Sequence, residues 1–203
     1  MSQAPSDRAE RHKARMEKLK AHVDSQVAKA TEERGIIVLL TGNGKGKSSS
    51  AFGMVARALG HGQKVGIVQF IKGAWDCGEQ KFFAGHDRVT FHIMGTGFTW
   101  DTQNRDADIT AARQVWEEGK RLLQDDSYDL LVFDEITYMF KYDYLPLEEV
   151  IHALVNRPAN QNVVLTGRGA AKELIELADT VTELGDIKHA FRAGIKAQPG
   201  VEF

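Results

Sequence analysis

One cysteine, Cys77, stands in a chain of 203 residues. A lone thiol closes no internal disulfide, and no cysteine cluster has the spacing of a zinc site, so neither kind of cross-link holds this fold. Long apolar runs are also missing. None approaches the roughly 20 residues that a helical membrane span requires. The opening stretch MSQAPSDRAERHKARMEKLKAHVDSQVAKA lacks the apolar centre of a secretory signal. A cytoplasmic location, with no membrane partner, is the expectation. There is no excess of one charge either: 26 Lys and Arg face 28 Asp and Glu, a formal net charge of −2. That balance leaves no electrostatic footprint for bulk nucleic acid. What remains is an ordinary globular composition, 42% hydrophobic and 27% charged, in a chain long enough to bury a sizeable core.

Two regions differ in texture. Residues 7–34 are dense in Lys, Arg and Glu, with Met16, Leu19, Val23 and Val27 three or four apart. This spacing predicts a helix with a narrow apolar stripe, ended at Gly35. Such a helix builds no core alone, and it reads either as a solvated arm or as a lid. Residues 1–34 are accordingly expected to form an N-terminal amphipathic helical arm, and residues 35–203 a single catalytic domain.

From Gly35 onward, apolar strands alternate with helical patterns. Strands are expected at 35–40, 64–71, 89–94, 129–135, 162–167 and 180–184, and helices at 48–59, 106–124, 147–155 and 170–178. Continuous rather than alternating apolar strands point to a mostly parallel sheet covered by helices on both faces, an α/β fold. The tail KHAFRAGIKAQPGVEF shows no periodicity.

The stretch VLLTGNGKGKSSSAFG, residues 38–53, joins the first strand to the first helix of this region. Its end, Gly46-Lys47-Ser48, completes the form G-x-x-x-x-G-K-[ST], with Thr41 at the first glycine position and Gly42 beside it. In that form backbone N–H groups and a helix N-terminus cradle phosphates. Gly42, Gly44 and Gly46 let backbone approach the ligand closely. Lys47 is placed for the outer phosphates, the Ser48 hydroxyl for magnesium, and Lys45 adds a charge nearby. The strand DLLVFDE ends in Asp134 and Glu135, on the edge of a parallel sheet that the loop shares. Asp134 is expected to act through the metal's water shell and Ser48, and Glu135 to lie closer to the metal or the reacting atoms. Arg168, in LTGRGA, follows another buried strand and is either a phosphate contact or an ordinary surface arginine. The chain therefore reads as a nucleoside-triphosphate protein of P-loop NTPase-like, RecA-type architecture.

A triphosphate pocket names no reaction. A second stretch, GTGFTWDTQNRDAD at residues 95–108, places Phe98 and Trp100 among small residues after a strand. They either stack on a large flat ligand or staple the loop to the core.

TGNGKGKSS, VGIVQFIKG, GTGFTWDTQNR, LPLEEVI, LTGRG and KHAFRAGIKAQPG, in this order and spacing, closely resemble the ATP:corrinoid adenosyltransferases of the bacterial cobalamin pathway, the phosphate-loop type. The resemblance covers residues 30–203, and the charged arm fits it too. It implies transfer of the 5′-deoxyadenosyl group of ATP to Co(I) of a corrinoid, with triphosphate released. It implies that Asn43 through Ser49 hold the triphosphate, with ATP reversed relative to ordinary ATPases. Thr41 is then a match within the family. Ser48 and Glu135 correspond to the metal site, for Mg2+ or Mn2+, and Arg168 to a phosphate contact. Phe98 and Trp100 correspond to the pair that keeps the lower axial ligand off cobalt. The arm corresponds to a segment closing over bound substrates. A homodimer and a reducing partner such as a flavodoxin are implied as well. Ser48 replaces the commoner threonine and keeps its hydroxyl. The residues agree with such a reaction, because a substrate that is itself the nucleophile needs no Ser-His-Asp or Cys-His set, and none is evident. A nucleoside kinase of the thymidine-kinase kind would share the loop, but its zinc-binding cysteines are missing. A non-catalytic ATP-dependent switch is the remaining alternative.

Overall fold

The computed structural model describes residues 5–71, 77–95 and 104–202. The chain divides into two compact units, Met1–Glu33 and Arg34–Phe203. The first holds helix α1, Pro5–Val27. This helix stops well before Gly35. Ala28 still bonds back to Asp24, but Lys29 and Ala30 close only short turns on Gln26 and Val27. Gly35 serves a different purpose from the helix stop expected of it. Its N–H donates to Ala159 O at 2.7 Å, and a Cβ added there would lie 2.2 Å from Gln161 O. Only glycine allows backbone to pass backbone this closely.

The second unit is built on a six-stranded sheet in the order β3-β2-β4-β5-β1-β6. Its strands are β1 Ile37–Thr41, β2 Val65–Gln69, β3 Val89–Ile93, β4 Leu130–Asp134, β5 Asn162–Thr166 and β6 Thr180–Glu183. Every pairing is parallel, for example Leu39 with Leu165 and Val132 with Val164. The sheet expected from the sequence is therefore present, and parallel throughout rather than mostly.

Alternation along the strands explains the unbroken apolar runs. Ile37, Leu39, Leu131, Phe133, Val163 and Leu165 point into one core with Trp116, Leu123, Val150 and Leu154. Those partners come from α4, Arg105–Gln124, and α6, Leu147–Val155. Val38, Leu40, Leu130, Val132 and Val164 point to the opposite core, covered by Ala51, Phe52, Val55 and Ala58 of α2, Lys47–Gly60. A strand buried on both faces cannot carry polar residues at alternate positions. The short helices α3, Gly78–Phe83, and α5, Thr137–Lys141, were not expected from sequence. At six and five residues they are too short for an apolar period to register. Helix α7, Lys172–Leu177, is shorter than its pattern, and the tail forms a 3-10 turn at Ala190–Ala193.

Parallel strands carry their loops to one edge. The loops after β1, β4 and β5 open there together, and the site lies among them.

Candidate functional site

The loop leaving β1 bends at Gly42, φ 94°, and again at Gly46, φ 111°, both left-handed and open to glycine at little cost. Gly44 N–H donates to Leu184 O at 2.7 Å, and a Cβ on Gly44 would stand 2.4 Å from Gly185 O. The loop is thus clamped against the chain beyond β6. Thr41, at the first glycine position, is buried, and its hydroxyl accepts from Ala170 N–H at 3.4 Å. That contact ties the phosphate loop to the turn after β5.

Helix α2 starts directly from this loop with no side-chain cap and no acidic residue in its first turn. Its N–H groups and positive dipole end are left for an anion. Lys47, at its first position, is 6% exposed and folds back to donate from Nζ to Gly44 O at 2.7 Å. Burial is the main force lowering its pKa, opposed next by the Glu135 carboxylate, with Arg168 also lowering it. An amine held back by desolvation gains most from an arriving polyanion.

A cavity of about 670 Å³ opens over this helix end. Gly44, Lys45, Gly46, Lys47, Ser48, Ser49, Glu135 and Arg168 line it together. Three cations, two serine hydroxyls, the Glu135 carboxylate and a bare helix N-terminus therefore converge on one space.

Other expected residues sit elsewhere. Asn43 faces an adjoining cavity of about 680 Å³, with Tyr138, Lys141, Tyr142, Arg168 and Gly169. Gly42 is buried and shapes the loop without lining the space. Asp134 is 0% exposed, and its two oxygens accept from Gln69 Nε2 at 2.8 Å and Thr166 Oγ1 at 2.7 Å. It does not itself line the cavity, but its charge acts on Lys47, whose pKa it raises. Phe98 and Trp100 lie outside the described residues.

The structure adds residues that sequence reading missed. Tyr138, on α5, lines both cavities, and its phenol pKa is raised by burial first and then by Glu135. Gly78, Glu79, Phe82 and Phe83 of α3, His189 and the segment Gly200–Glu202 also line the first cavity, and Glu202 pairs with Lys45. No periodicity marks that tail; its glycines and one proline were the only local signal.

Glu135 has φ 60°, a left-handed backbone on a non-glycine residue, which costs on the order of 1 kcal/mol. Strain of this kind gathers at working sites. Among the described residues, no group of three or more His, Cys, Asp or Glu could enclose a metal ion. The Ser48 hydroxyl and Glu135 carboxylate, both oxygen donors, line the same cavity. Such a set suits magnesium, which keeps waters and takes its remaining ligands from phosphate.

A parallel α/β sheet with a glycine loop between its first strand and a bare helix end defines a nucleotide-binding protein of the P-loop class. The sequence profile of the family described as ATP:corrinoid adenosyltransferase BtuR/CobO/CobP matches residues 33–203, and that of the cob(I)alamin adenosyltransferase N-terminal region matches residues 1–27. The chain belongs to the ATP:corrinoid adenosyltransferase family. It is 56% identical over 194 residues to the corrinoid adenosyltransferase of Escherichia coli (strain K12), covering 96% of this chain and 98% of that protein. It is 57% identical over 194 residues, with the same coverage, to the corrinoid adenosyltransferase CobA of Salmonella typhimurium (strain LT2). The corrinoid adenosyltransferase of Pseudomonas aeruginosa (strain PAO1) is 54% identical over 204 residues, covering 100% of both chains. The crystal structure of the RadB recombinase aligns over 77% of each chain at TM-score 0.46 and 15% identity.

Proposed function

We propose that the chain transfers the 5′-deoxyadenosyl group of ATP to the Co(I) centre of a corrinoid, whether cobalamin, cobinamide or an a,c-diamide precursor. The step serves adenosylcobalamin biosynthesis or salvage. The observation that carries this reading is the meeting of Lys45, Lys47, Arg168 and the bare α2 terminus in one cavity of a chain from this family.

The electron pair on Co(I), the substrate nucleophile, attacks C5′ of ATP. The C5′–O bond breaks, its pair leaves with triphosphate, and cobalt becomes formally Co(III). The leaving group therefore gains charge as the bond opens, and stabilising that charge is the protein's task. Lys47 leaves Gly44 O for the triphosphate, and Lys45 and Arg168 add charge at the rim. The backbone of Gly44–Ser49 takes the remaining oxygens. Ser48 and Glu135 would hold Mg2+, or Mn2+, which neutralises part of the triphosphate charge. Asp134 supports Glu135 from beneath the site.

Phe98 and Trp100 are assigned to the corrinoid, where they exclude its lower axial ligand and ease reduction of Co(II). Residues 1–34 are assigned the role of a lid that keeps water from Co(I), and residues 35–203 that of a single catalytic domain. A cytoplasmic homodimer served by a reducing protein such as a flavodoxin completes the proposal. The electron donor is supported by the reaction, which needs cobalt reduced to Co(I); no described helix is long and apolar enough to cross a membrane.

Phosphorus NMR of an anoxic reaction with ATP, Mg2+ and chemically reduced cobalamin tests the reading. Free tripolyphosphate equal to the adenosylcobalamin formed is expected. ADP with orthophosphate, or a phosphorylated nucleoside, would assign the cavity to a hydrolase or a kinase.

A further inference from the structure

Beneath the cavity, side chains at the carboxyl ends of β2, β4 and β5 are joined in a line. Gln69, 0% exposed at the end of β2, donates from Nε2 to Asp134 Oδ2 at 2.8 Å. Asp134, at the end of β4, accepts at Oδ1 from Thr166 Oγ1 at 2.7 Å. Thr166, also 0% exposed and last in β5, accepts at that same oxygen from Glu135 N–H at 2.8 Å. The line thus crosses neighbouring strands and ends on the backbone of a cavity-lining carboxylate held at φ 60°.

Polarity along the line is fixed. A hydroxyl has one proton; Thr166 gives it to Asp134, which leaves lone pairs for the Glu135 N–H. The Gln69 amide must turn its NH2 to the carboxylate, since the reverse would set oxygen against oxygen. Its own Oε1 is then buried with no hydrogen-bond partner among the described residues. Leaving that atom unsatisfied is unfavourable, so packing does not explain a glutamine here. Its bond to Asp134 does.

We propose that Thr166 is a positioning residue for the adenosyl-transfer site. Its hydroxyl, aimed by Asp134 and anchored through Gln69, holds the Glu135 backbone in the left-handed turn that presents the Glu135 carboxylate to the metal and triphosphate. This rests on the role given to Glu135 under the proposed function. It assigns Asp134 and Gln69 a structural purpose that a ligand-set reading of the Asp-Glu pair does not.

Thr166→Val removes the hydroxyl and keeps the branched shape, while Thr166→Ser keeps the hydroxyl. Mn2+ binding to the protein–ATP complex, followed by loss of the free-ion electron paramagnetic resonance signal, reads metal retention without any corrinoid. Thr166→Val is expected to weaken Mn2+ retention about 10-fold and to lower kcat by about 10- to 100-fold with little change in KM for ATP, as outer-shell partners do. Thr166→Ser restores both, and Gln69→Leu shifts both in the same direction by less. Wild-type Mn2+ binding and kcat in Thr166→Val would overturn the proposal, as would an equal loss in Thr166→Ser. If Thr166→Val does not fold, Gln69→Leu decides: a variant that melts like wild type and binds Mn2+ as tightly overturns it. Failure of wild type to release tripolyphosphate would instead count against the reaction, so the two failures are distinct.

Discussion

At the scale of single residues, Lys47 carries the greatest consequence. Among the cations that line the cavity it is the buried one, and its Nζ donates to Gly44 O. Lys47→Ala removes a charge aimed at the departing triphosphate, and kcat should fall by about 10²- to 10³-fold or more. Lys45 is half exposed and already paired with Glu202, so Lys45→Ala should cost only about 10-fold, chiefly in KM for ATP. Steady-state kinetics with chemically reduced cobalamin separates the two, and equal losses would contradict this ranking. Phe98→Ala and Trp100→Ala should impair reduction of Co(II) while sparing ATP affinity and the adenosylation of pre-reduced Co(I). Loss of ATP affinity with normal reduction would show the aromatic assignment to be wrong. The meeting of Lys47, Ser48 and Glu135 in one cavity was legible from the sequence, because each stands at a short spacing from a strand or a helix. The bonds that hold Asp134 left no trace in the sequence, because Gln69 and Thr166 lie 65 and 32 positions away along the chain.

At the scale of elements, the sheet was legible and its accessories were not. Strands β1, β2, β4 and β5 are apolar on both faces, and that pattern has one structural meaning. Helices α3 and α5 span less than two turns, so the residues they bring to the site, Tyr138 among them, left no periodic trace. The extent of α1 was overestimated because charged helix-forming residues continue past Val27, while Gly35 was needed against Gln161 and not as a cap. One junction between elements makes a pH prediction. Asp179, just before β6, accepts from Ile37 N–H at 2.8 Å and pairs with Arg34. Its pKa falls from 3.8 to about 2, through the Arg34 hydrogen bond first and the Ile37 N–H second. A depressed carboxyl stabilises the fold above its unfolded value. That contribution is lost as pH falls from about 4 through about 2. Discounted for solvent screening, Asp179→Asn should cost roughly 1–2 kcal/mol at pH 7, and its denaturation curve should merge with that of wild type below about pH 2. A constant gap at all pH values would contradict the pairing. Gly167→Ala belongs to this scale too. Gly167 has φ 141°, and a Cβ there would lie 2.0 Å from Thr137 Oγ1. The Thr137 hydroxyl also donates to Arg168 O at 2.8 Å. The substitution should therefore displace Arg168 and α5 together, lowering the melting temperature and raising KM for ATP.

At the scale of the whole molecule, both hydrophobic cores draw, among the described residues, on those from Ile37 onward. Deleting residues 1–33 should leave a cooperatively folded protein whose melting temperature shifts by no more than about 5 °C. Adenosyl transfer should nonetheless fall, because water then reaches Co(I). Unchanged transfer would rule out the lid. Reaction class is the property that the fold alone could not supply, since hydrolases, kinases and transferases share such sheets. What separates them here is which bond of ATP breaks. ATP carrying oxygen-18 only at the 5′ bridging oxygen reports that bond directly, when turned over anoxically with Mg2+ and Co(I) cobalamin and read by mass spectrometry. Cleavage at C5′ carries the label into tripolyphosphate and leaves the adenosyl group on cobalt free of it. Label retained on the nucleoside, with unlabelled phosphates released, would mean that the bond breaks at phosphorus and would contradict the account.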